Sequence, residues 1–187
     1  MVGYAICGSF CTHKKTLEVL GKFVDSGIDI MPILSENTCA ISTRFGNAED
    51  FVKSIEDITK KKIVSSIEES EAIGPNRSLE MMIIAPCTGN TLAKLANGIT
   101  DGCVTMAAKA HLRNQKPLVI GLCTNDALSV NLINIGAMLN KKNVFFVPMY
   151  QDDTDAKPAS LVCDMDLVMK TYEMALQRKQ IQPVLFS

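Results

Sequence analysis

Short apolar runs alternate with amphipathic stretches along most of the chain. Residues 2–7, 28–34, 81–85, 117–123 and 143–147 are largely apolar throughout. Such continuous runs read as strands covered on both faces, the habit of a parallel sheet. Between them, apolar positions recur at helical spacing. Leu17, Leu20, Phe23 and Val24 mark a helix over residues 12–26 that Gly27 closes, and Phe51, Val52, Ile55 and Ile58 mark one over 48–60. Leu92, Leu95 and Ala96 give a brief helix ended by Asn97 and Gly98. Val104, Ala107, Ala108, Ala110 and Leu112 give the next, over 101–115, with Asp101 as its expected cap. Leu132, Ile135 and Met138 lie on another, and residues 160–178 read as a terminal helix. Residues 38–80 are the least regular. Ile63 and Val64 suggest a very short strand there, and 66–72 suggest a turn of helix broken by Gly74, Pro75 and Asn76. Residues 149–159 read as a polar loop.

Strands alternating with helices predict an α/β fold. The expected architecture is a doubly wound, mostly parallel, Rossmann-like (flavodoxin-like) sheet with helices on both faces, in one domain over residues 1–187. The tail over 180–187 carries Ile181, Val184, Leu185 and Phe186, and is expected to dock on the domain or on a neighbouring subunit. Four strands end in polar turns, at Gly8 and Ser9, Ser35 to Asn37, Thr88 to Thr91, and Asn125 to Ser129. With parallel strands and right-handed crossovers these turns share one edge, where open α/β sheets bind ligands. In the third turn Pro86 stops the strand, and Cys87, Thr88, Gly89, Asn90 and Thr91 then offer hydroxyls, an amide and backbone N–H groups. Gly8 and Ser9 stand before a helix, whose orphan N–H groups and dipole favour a phosphate. An ordinary turn capped by Thr12 accounts for them equally well. Neither G-x-G-x-x-G nor G-x-x-x-x-G-K-[ST] is present.

Composition narrows the chemistry. The hydrophobic content is 47% with only 5% aromatic residues and no Trp, so the core is aliphatic and Met-rich. A net charge of −1 without a basic block gives no electrostatic case for nucleic acid or an anionic membrane. No run is long enough for a membrane span, and no signal-peptide pattern opens the chain. Seven Cys at irregular spacing point to reduced thiols in a cytoplasm rather than to a disulfide framework. His13 and His111 belong to no nucleophile motif and read as surface or capping residues. Cys7 and Cys11 lack a second ligand pair, so no metal site is expected. Asp152, Asp153 and Asp155 read as a solvated loop rather than a Mg²⁺ site. Cys87 has no activating base in the sequence and reads as a wall residue beside a planar ligand. No residue set performs a reaction by itself, and no catalytic residue is assigned. A neutral rim of hydroxyls and amides suits a phosphate and a planar ring, so a bound cofactor would carry the chemistry.

The run Pro86-Cys87-Thr88-Gly89-Asn90-Thr91-Leu92-Ala93-Lys94-Leu95-Ala96-Asn97-Gly98-Ile99-Thr100-Asp101 resembles the core motif of the homo-oligomeric flavin-binding proteins. That superfamily holds the phosphopantothenoylcysteine decarboxylases, the lantibiotic cysteine decarboxylases and the flavin prenyltransferases. Asn90 and Thr91 match the end of the decarboxylases' Pro-Ala-Ser-Ala-Asn-Thr run. Residues 8–13, 148–153, 157–162 and 178–185 extend a narrower resemblance, over nearly the full chain, to the B-subunit family of dipicolinate synthases. The resemblance implies FMN in the crevice of the four turns, touching Gly8, Ser9, Phe10, Thr12, Ser35, Asn37, Pro86, Cys87, Thr88, Asn90, Thr91 and Ser129. The phosphate is expected near Gly8, Ser9 and Ser35, and the ring near Thr88, Asn90 and Ser129. It further implies a dipicolinate synthase A subunit as partner, carrying NAD(P), and a homo-oligomer built of trimers. The reaction implied is oxidation of a dihydrodipicolinate-type intermediate of the lysine pathway to pyridine-2,6-dicarboxylate. Its place would be the mother-cell cytoplasm of a spore-forming bacterium, during sporulation. Three departures bear on chemistry. Residues 38–80 lack the His of the decarboxylases, and Thr124-Asn125-Asp126-Ala127-Leu128-Ser129 replaces the prenyltransferases' Arg-Glu-Thr-Pro-Leu-Ser. These argue against cysteine-type decarboxylation and prenyl-phosphate handling. Phe10 and Cys11 are bulkier than that family's Gly/Ala/Ser-rich first loop, which weakens the case for tight FMN binding.

Overall fold

The computed structural model describes residues 1–76 and 78–186. Ser187, the last residue of the expected tail, lies outside the described residues, as does Arg77. In chain order the elements are β1 (Val2–Ile6), a 3-10 turn (Phe10–Thr12), α1 (His13–Asp25), β2 (Ile30–Leu34), α2 (Glu36–Ala40), α3 (Ala48–Thr59), α4 (Ile67–Glu71) and α5 (Ile73–Asn76). The second half holds β3 (Met81–Cys87), α6 (Gly89–Asn97), α7 (Cys103–Leu112), β4 (Leu118–Thr124), α8 (Leu132–Leu139) and β5 (Val144–Phe146). It closes with β6 (Met149–Tyr150), β7 (Leu161–Cys163), a second 3-10 turn (Met165–Leu167) and α9 (Val168–Leu176).

β1 to β5 form a parallel sheet in the order β2-β1-β3-β4-β5. The apolar runs are continuous because these strands are buried on both faces, and every residue of β3 is buried. α1 and α9 pack against each other and the sheet on one face, and α6, α7 and α8 pack on the other. The largest buried side chains include Tyr4 and Phe23, whose rings meet edge-on at 5.7 Å, with Tyr172 of α9 closing on Phe23 at 5.4 Å. The strand order reverses between β1 and β3, and in this topology that switch point opens a crevice at the carboxyl ends of the strands.

Five local expectations differ from the structure. Pro86 does not stop β3, which runs through it to Cys87. Residues 160–178 are not one helix. β7 pairs antiparallel with Cys123 and Thr124 at the end of β4, and the helix proper starts only at Val168. Leu161 and Cys163 are both buried, and Asp164 stops the strand by accepting the Asp166 N–H at 3.0 Å. Residues 149–159 do not begin as loop, because β6 pairs antiparallel with β7. Gly74, Pro75 and Asn76 lie inside α5 instead of breaking a helix. Proline is tolerated there because the first turn leaves its N–H groups without helical partners. Asp101 does not cap α7, whose N-cap is Gly102. Elsewhere, Val64 forms a single bridge to Ile33, donating to Pro32 O at 2.8 Å and accepting from Leu34 N–H at 2.9 Å. The tail runs beside β6. The Met149 N–H donates to Val184 O at 2.8 Å, and the Phe186 N–H donates to Met149 O at 3.1 Å.

Candidate functional site

Each turn of the crevice is first a piece of local structure. After β1, the Ser9 N–H bonds Cys7 O at 2.8 Å and Thr12 Oγ1 donates to Ser9 O at 2.7 Å, which folds the first turn tightly. After β2, Ser35 caps α2, its Oγ accepting the Thr38 N–H at 3.3 Å. After β3, Thr88 caps α6 in the same way, accepting the Thr91 N–H at 3.3 Å. Thr91 Oγ1 reaches across to Cys7 Sγ at 3.4 Å and ties the β3 turn to the β1 turn. Ser and Thr cap well because their oxygens satisfy orphan helix donors.

These turns enclose two lobes. The first, about 300 Å³, is lined by Gly8, Phe10, Ser35, Asn37, Thr88, Asn90 and Thr91 from the sequence expectation. Cys7, Glu36, Lys94, Gly102, Val104 and Thr105 complete it and were not named as ligand contacts. The second, about 500 Å³, shares Gly8, Thr88 and Asn90 and adds Ser9. Its far wall is Thr124, Asn125, Asp152, Lys157 and Ser160; Asn125 opens the expected fourth turn, and Asp152, Lys157 and Ser160 were not expected. Asp152 is no free carboxylate. It accepts Lys157 Nζ and Ser160 Oγ, both at 2.7 Å, and these partners hold its carboxyl below the usual range.

Four expected site residues line neither lobe. Thr12 is turned to its own loop. Pro86 and Cys87 lie within fully buried β3 and face the core. Ser129 is exposed, its Oγ bonded to Asp126 O at 3.1 Å. In its place, Asp126 organises the turn after β4. Thr124 Oγ1 and Asn131 Nδ2 donate to Asp126 Oδ1 at 2.5 and 2.9 Å. Gly89 is what allows this cluster to lie under the start of α6. A Cβ there would stand 2.6 Å from both Thr124 Oγ1 and Asn131 Nδ2.

The acid at the first lobe is Glu36. Its Oε1 accepts the Cys103 N–H at 2.6 Å, so a residue from the β2 turn sits on the first turn of α7. A carboxylate at that position is favoured by the helix dipole. Asp101, expected there, is held instead by Lys94 Nζ at 2.8 and 3.0 Å, which lowers its carboxyl's pKa.

Both His are buried rather than at the surface. His13 Nε2 bonds Cys7 O at 3.1 Å and its ring stacks on Phe51 at 4.2 Å. His111 Nε2 bonds Pro117 O at 2.8 Å, away from the crevice. A ring nitrogen bonded to a carbonyl is a donor, so neither ring offers that nitrogen as a base. Burial pushes the Cys87 thiol well up, and the Cys7 thiol up to about 11, which keeps both protonated. The lobes therefore present hydroxyls, amides and backbone groups, together with carboxylates already bonded to partners. This lining fits the neutral ring and sugar-like chain of a flavin. Three helix ends at the lobes carry a cap, Ser35 on α2, Thr88 on α6 and Glu36 on α7, while the Gly8–Phe10 turn before α1, where the phosphate is expected, has no side-chain cap.

Residues 1–182 match the Flavoprotein family. Over 184 residues the chain is 43% identical to the B subunit of the dipicolinate synthase of Bacillus subtilis (strain 168), covering 98% of this chain and 92% of the relative. The crystal structure of the dipicolinate synthase B subunit from Bacillus halodurans C is similar at a TM-score of 0.91 and 41% identity, covering 100% of this chain and 95% of that one. A dodecameric FMN-dependent Ubix-like decarboxylase from Escherichia coli O157:H7 shares the fold, with a TM-score of 0.64 at 20% identity over 79% of this chain and 80% of that one.

Proposed function

The chain belongs to the Flavoprotein family, together with the dipicolinate synthase B subunits, and from that premise we propose that it is the B subunit of a two-subunit dehydrogenase. Its partner is an A subunit carrying NAD(P). The pair oxidises a dihydrodipicolinate-type intermediate to pyridine-2,6-dicarboxylate in the cytoplasm of a sporulating mother cell. The nicotinamide of the A subunit would supply the two-electron acceptor, and the dihydropyridine ring, losing a hydride to it and a proton to solvent, would become aromatic. The observation that carries this reading is the likeness to a named B subunit along 98% of the chain.

The site supports a role in binding and orienting. Neither His reaches the lobes, and the thiols of Cys7 and Cys87 stay protonated. In this reading the crevice holds a planar ligand, FMN in the form proposed. A flavin there supplies a two-electron acceptor when bound. Thr88 fixes the start of α6, the exposed Asn90 side chain orients the ligand, and Phe10 screens the first lobe from water. A homo-oligomer is also proposed. Val130 and Ile133, 72% and 78% exposed, leave an apolar face around α8 that a second copy of the chain would cover.

The test is reconstitution. Dipicolinate formation is followed with the A subunit alone, this chain alone, and both, while the absorbance in the flavin bands is recorded. The expected result is formation only with both present. Full activity of the A subunit alone would contradict the reading. So would release of CO₂ from a cysteine-terminated substrate by the isolated chain. A colourless complex with full activity would remove the flavin and leave the two-subunit dehydrogenase.

A further inference from the structure

Two thiols meet behind the wall of the second lobe. Cys123 lies next to the end of β4 and Cys163 ends β7, and the two strands pair antiparallel through Cys123 with Val162 and Thr124 with Leu161. The Cys123 and Cys163 sulfurs stand 3.6 Å apart and share a hydrogen bond. A Cβ on Gly121 would lie 3.0 Å from Cys163 Sγ, so that glycine leaves the sulfur its room. Other buried thiols turn to oxygen instead. Thr91 Oγ1 donates to Cys7 Sγ at 3.4 Å, Cys87 Sγ to Thr88 O at 3.6 Å, and Cys103 Sγ to Val64 O at 3.4 Å. Cys123, though only 5% exposed, lines the second lobe beside Thr124 and Val162, whereas Cys163 does not line it. A small solute in the lobe therefore meets Cys123 first. The hydrogen bond from Cys163 favours the Cys123 thiolate, against burial, and moves its pKa below the ordinary thiol value. That same bond, with burial, holds Cys163 well above it. The thiolate is the nucleophilic form, so Cys123 is the member that reacts first.

We propose that Cys123 and Cys163 are a redox-active dithiol, oxidised by hydrogen peroxide entering the second lobe, and that their disulfide fastens β7 to β4. The Cys123 thiolate attacks one peroxide oxygen and the O–O bond breaks. Cys123 becomes a sulfenic acid, and the departing hydroxide takes up the proton that Cys123 had lost, giving water. The Cys163 sulfur then attacks the sulfenic sulfur, the S–O bond breaks, and a second water leaves with the Cys163 proton. Two thiols thus lose two electrons and two protons, and peroxide becomes two waters. The sulfurs need only close from 3.6 Å to about 2 Å. β7 is three residues long and registers with β4 at two positions, so a covalent link adds much to so short a ladder. Ser160, which holds Asp152 in the same wall, directly precedes β7 and is fastened with it. Neither a flavin nor the A subunit is required.

The experiment treats the full chain with a stoichiometric amount of hydrogen peroxide, alkylates the remaining thiols, and separates tryptic peptides without reductant. Trypsin puts the two cysteines on different peptides, 114–141 and 143–170, neither of which holds another Cys. The expected result is these two peptides joined and two hydrogens lighter than their sum, with the other cysteines alkylated, and parted again by dithiothreitol. In Cys163→Ala the reaction should stop at a Cys123 sulfenic acid that dimedone traps, and in Cys123→Ala the Cys163 thiol should stay alkylatable. Hydrogen exchange at the β7 amides should slow about tenfold or more on oxidation of the wild type and stay unchanged in Cys163→Ala. Both thiols remaining alkylatable in treated wild type overturns the proposal, whatever the variants do. A disulfide from Cys123 or Cys163 to another cysteine, such as the exposed Cys11 in the same lobe, also overturns it. A joined pair with unchanged exchange at β7 overturns the fastening of that strand.

Discussion

His111 shows how a buried side chain couples folding to pH. It sits on α7 with Nε2 on Pro117 O at 2.8 Å, and burial, aided by the charges of Lys116 and Arg178, pushes its pKa down to about 4. The unfolded chain protonates the same ring near the ordinary value of about 6.5. Between these values the unfolded state binds a proton that the folded state refuses, so stability falls as pH drops through the window. At pH 7 almost none of this stability is lost, and at pH 5 the loss from His111 is about 2 kcal/mol. His13 is shifted downward as well, mainly by burial, and adds to the loss in the same direction. Urea unfolding at pH 7 and pH 5 measures it. The wild type should lose more stability than His111→Gln, which keeps a donor for Pro117 O, by about 2 kcal/mol. Equal losses in the two proteins would remove His111 from the account.

Among the elements, legibility in the sequence follows how far away the deciding contact lies. The runs behind β1, β3 and β4 are visible because burial on both faces leaves no polar alternation. Two- and three-residue strands such as β6 and β7 carry no period, and what makes them strands is pairing with the end of β4. The cap of α7 is a similar case. A local rule selects Asp101, but Glu36, 67 residues before Cys103, takes the place, and Lys94 draws Asp101 away. The tail has its own consequence at this scale. Val184 O accepts the Met149 N–H, the Phe186 N–H donates to Met149 O, and the Phe186 ring lies 5.4 Å from that of Tyr150. Truncation after Gln180 removes these contacts and uncovers β6. It should cost about 1–3 kcal/mol, read as a lower urea midpoint with little change in slope. An unchanged midpoint would mean that the tail contributes nothing to the fold.

For the whole molecule, the edge that carries the crevice follows from four strands ending in polar turns, and the first lobe is largely made of those turns, whereas the order of the strands comes from the structure alone. The second lobe was legible only on the side of Gly8, Ser9, Thr88 and Asn90. Asp152, Lys157 and Ser160 come to it from the return through β6 and β7, which no local pattern announces. The apolar face around α8 also belongs to this scale. If it is covered by another copy, Ile133→Asp should lower the mass in light scattering toward that of one chain of 20.4 kDa without lowering helical content. An unchanged mass would place the contact elsewhere. The central claim is that the crevice at the β1/β3 switch point works for the two-subunit dehydrogenase and is not mere architecture. Asn90 tests it most directly. Its side chain is exposed, lines both lobes and makes no hydrogen bond among the described residues, so Asn90→Ala should fold normally. The measurement titrates this variant into a fixed amount of the A subunit and follows nicotinamide reduction. The account predicts that the complex forms at the wild-type concentration while the saturating rate falls about tenfold or more. A wild-type rate at saturation would contradict it and leave the chain a structural subunit.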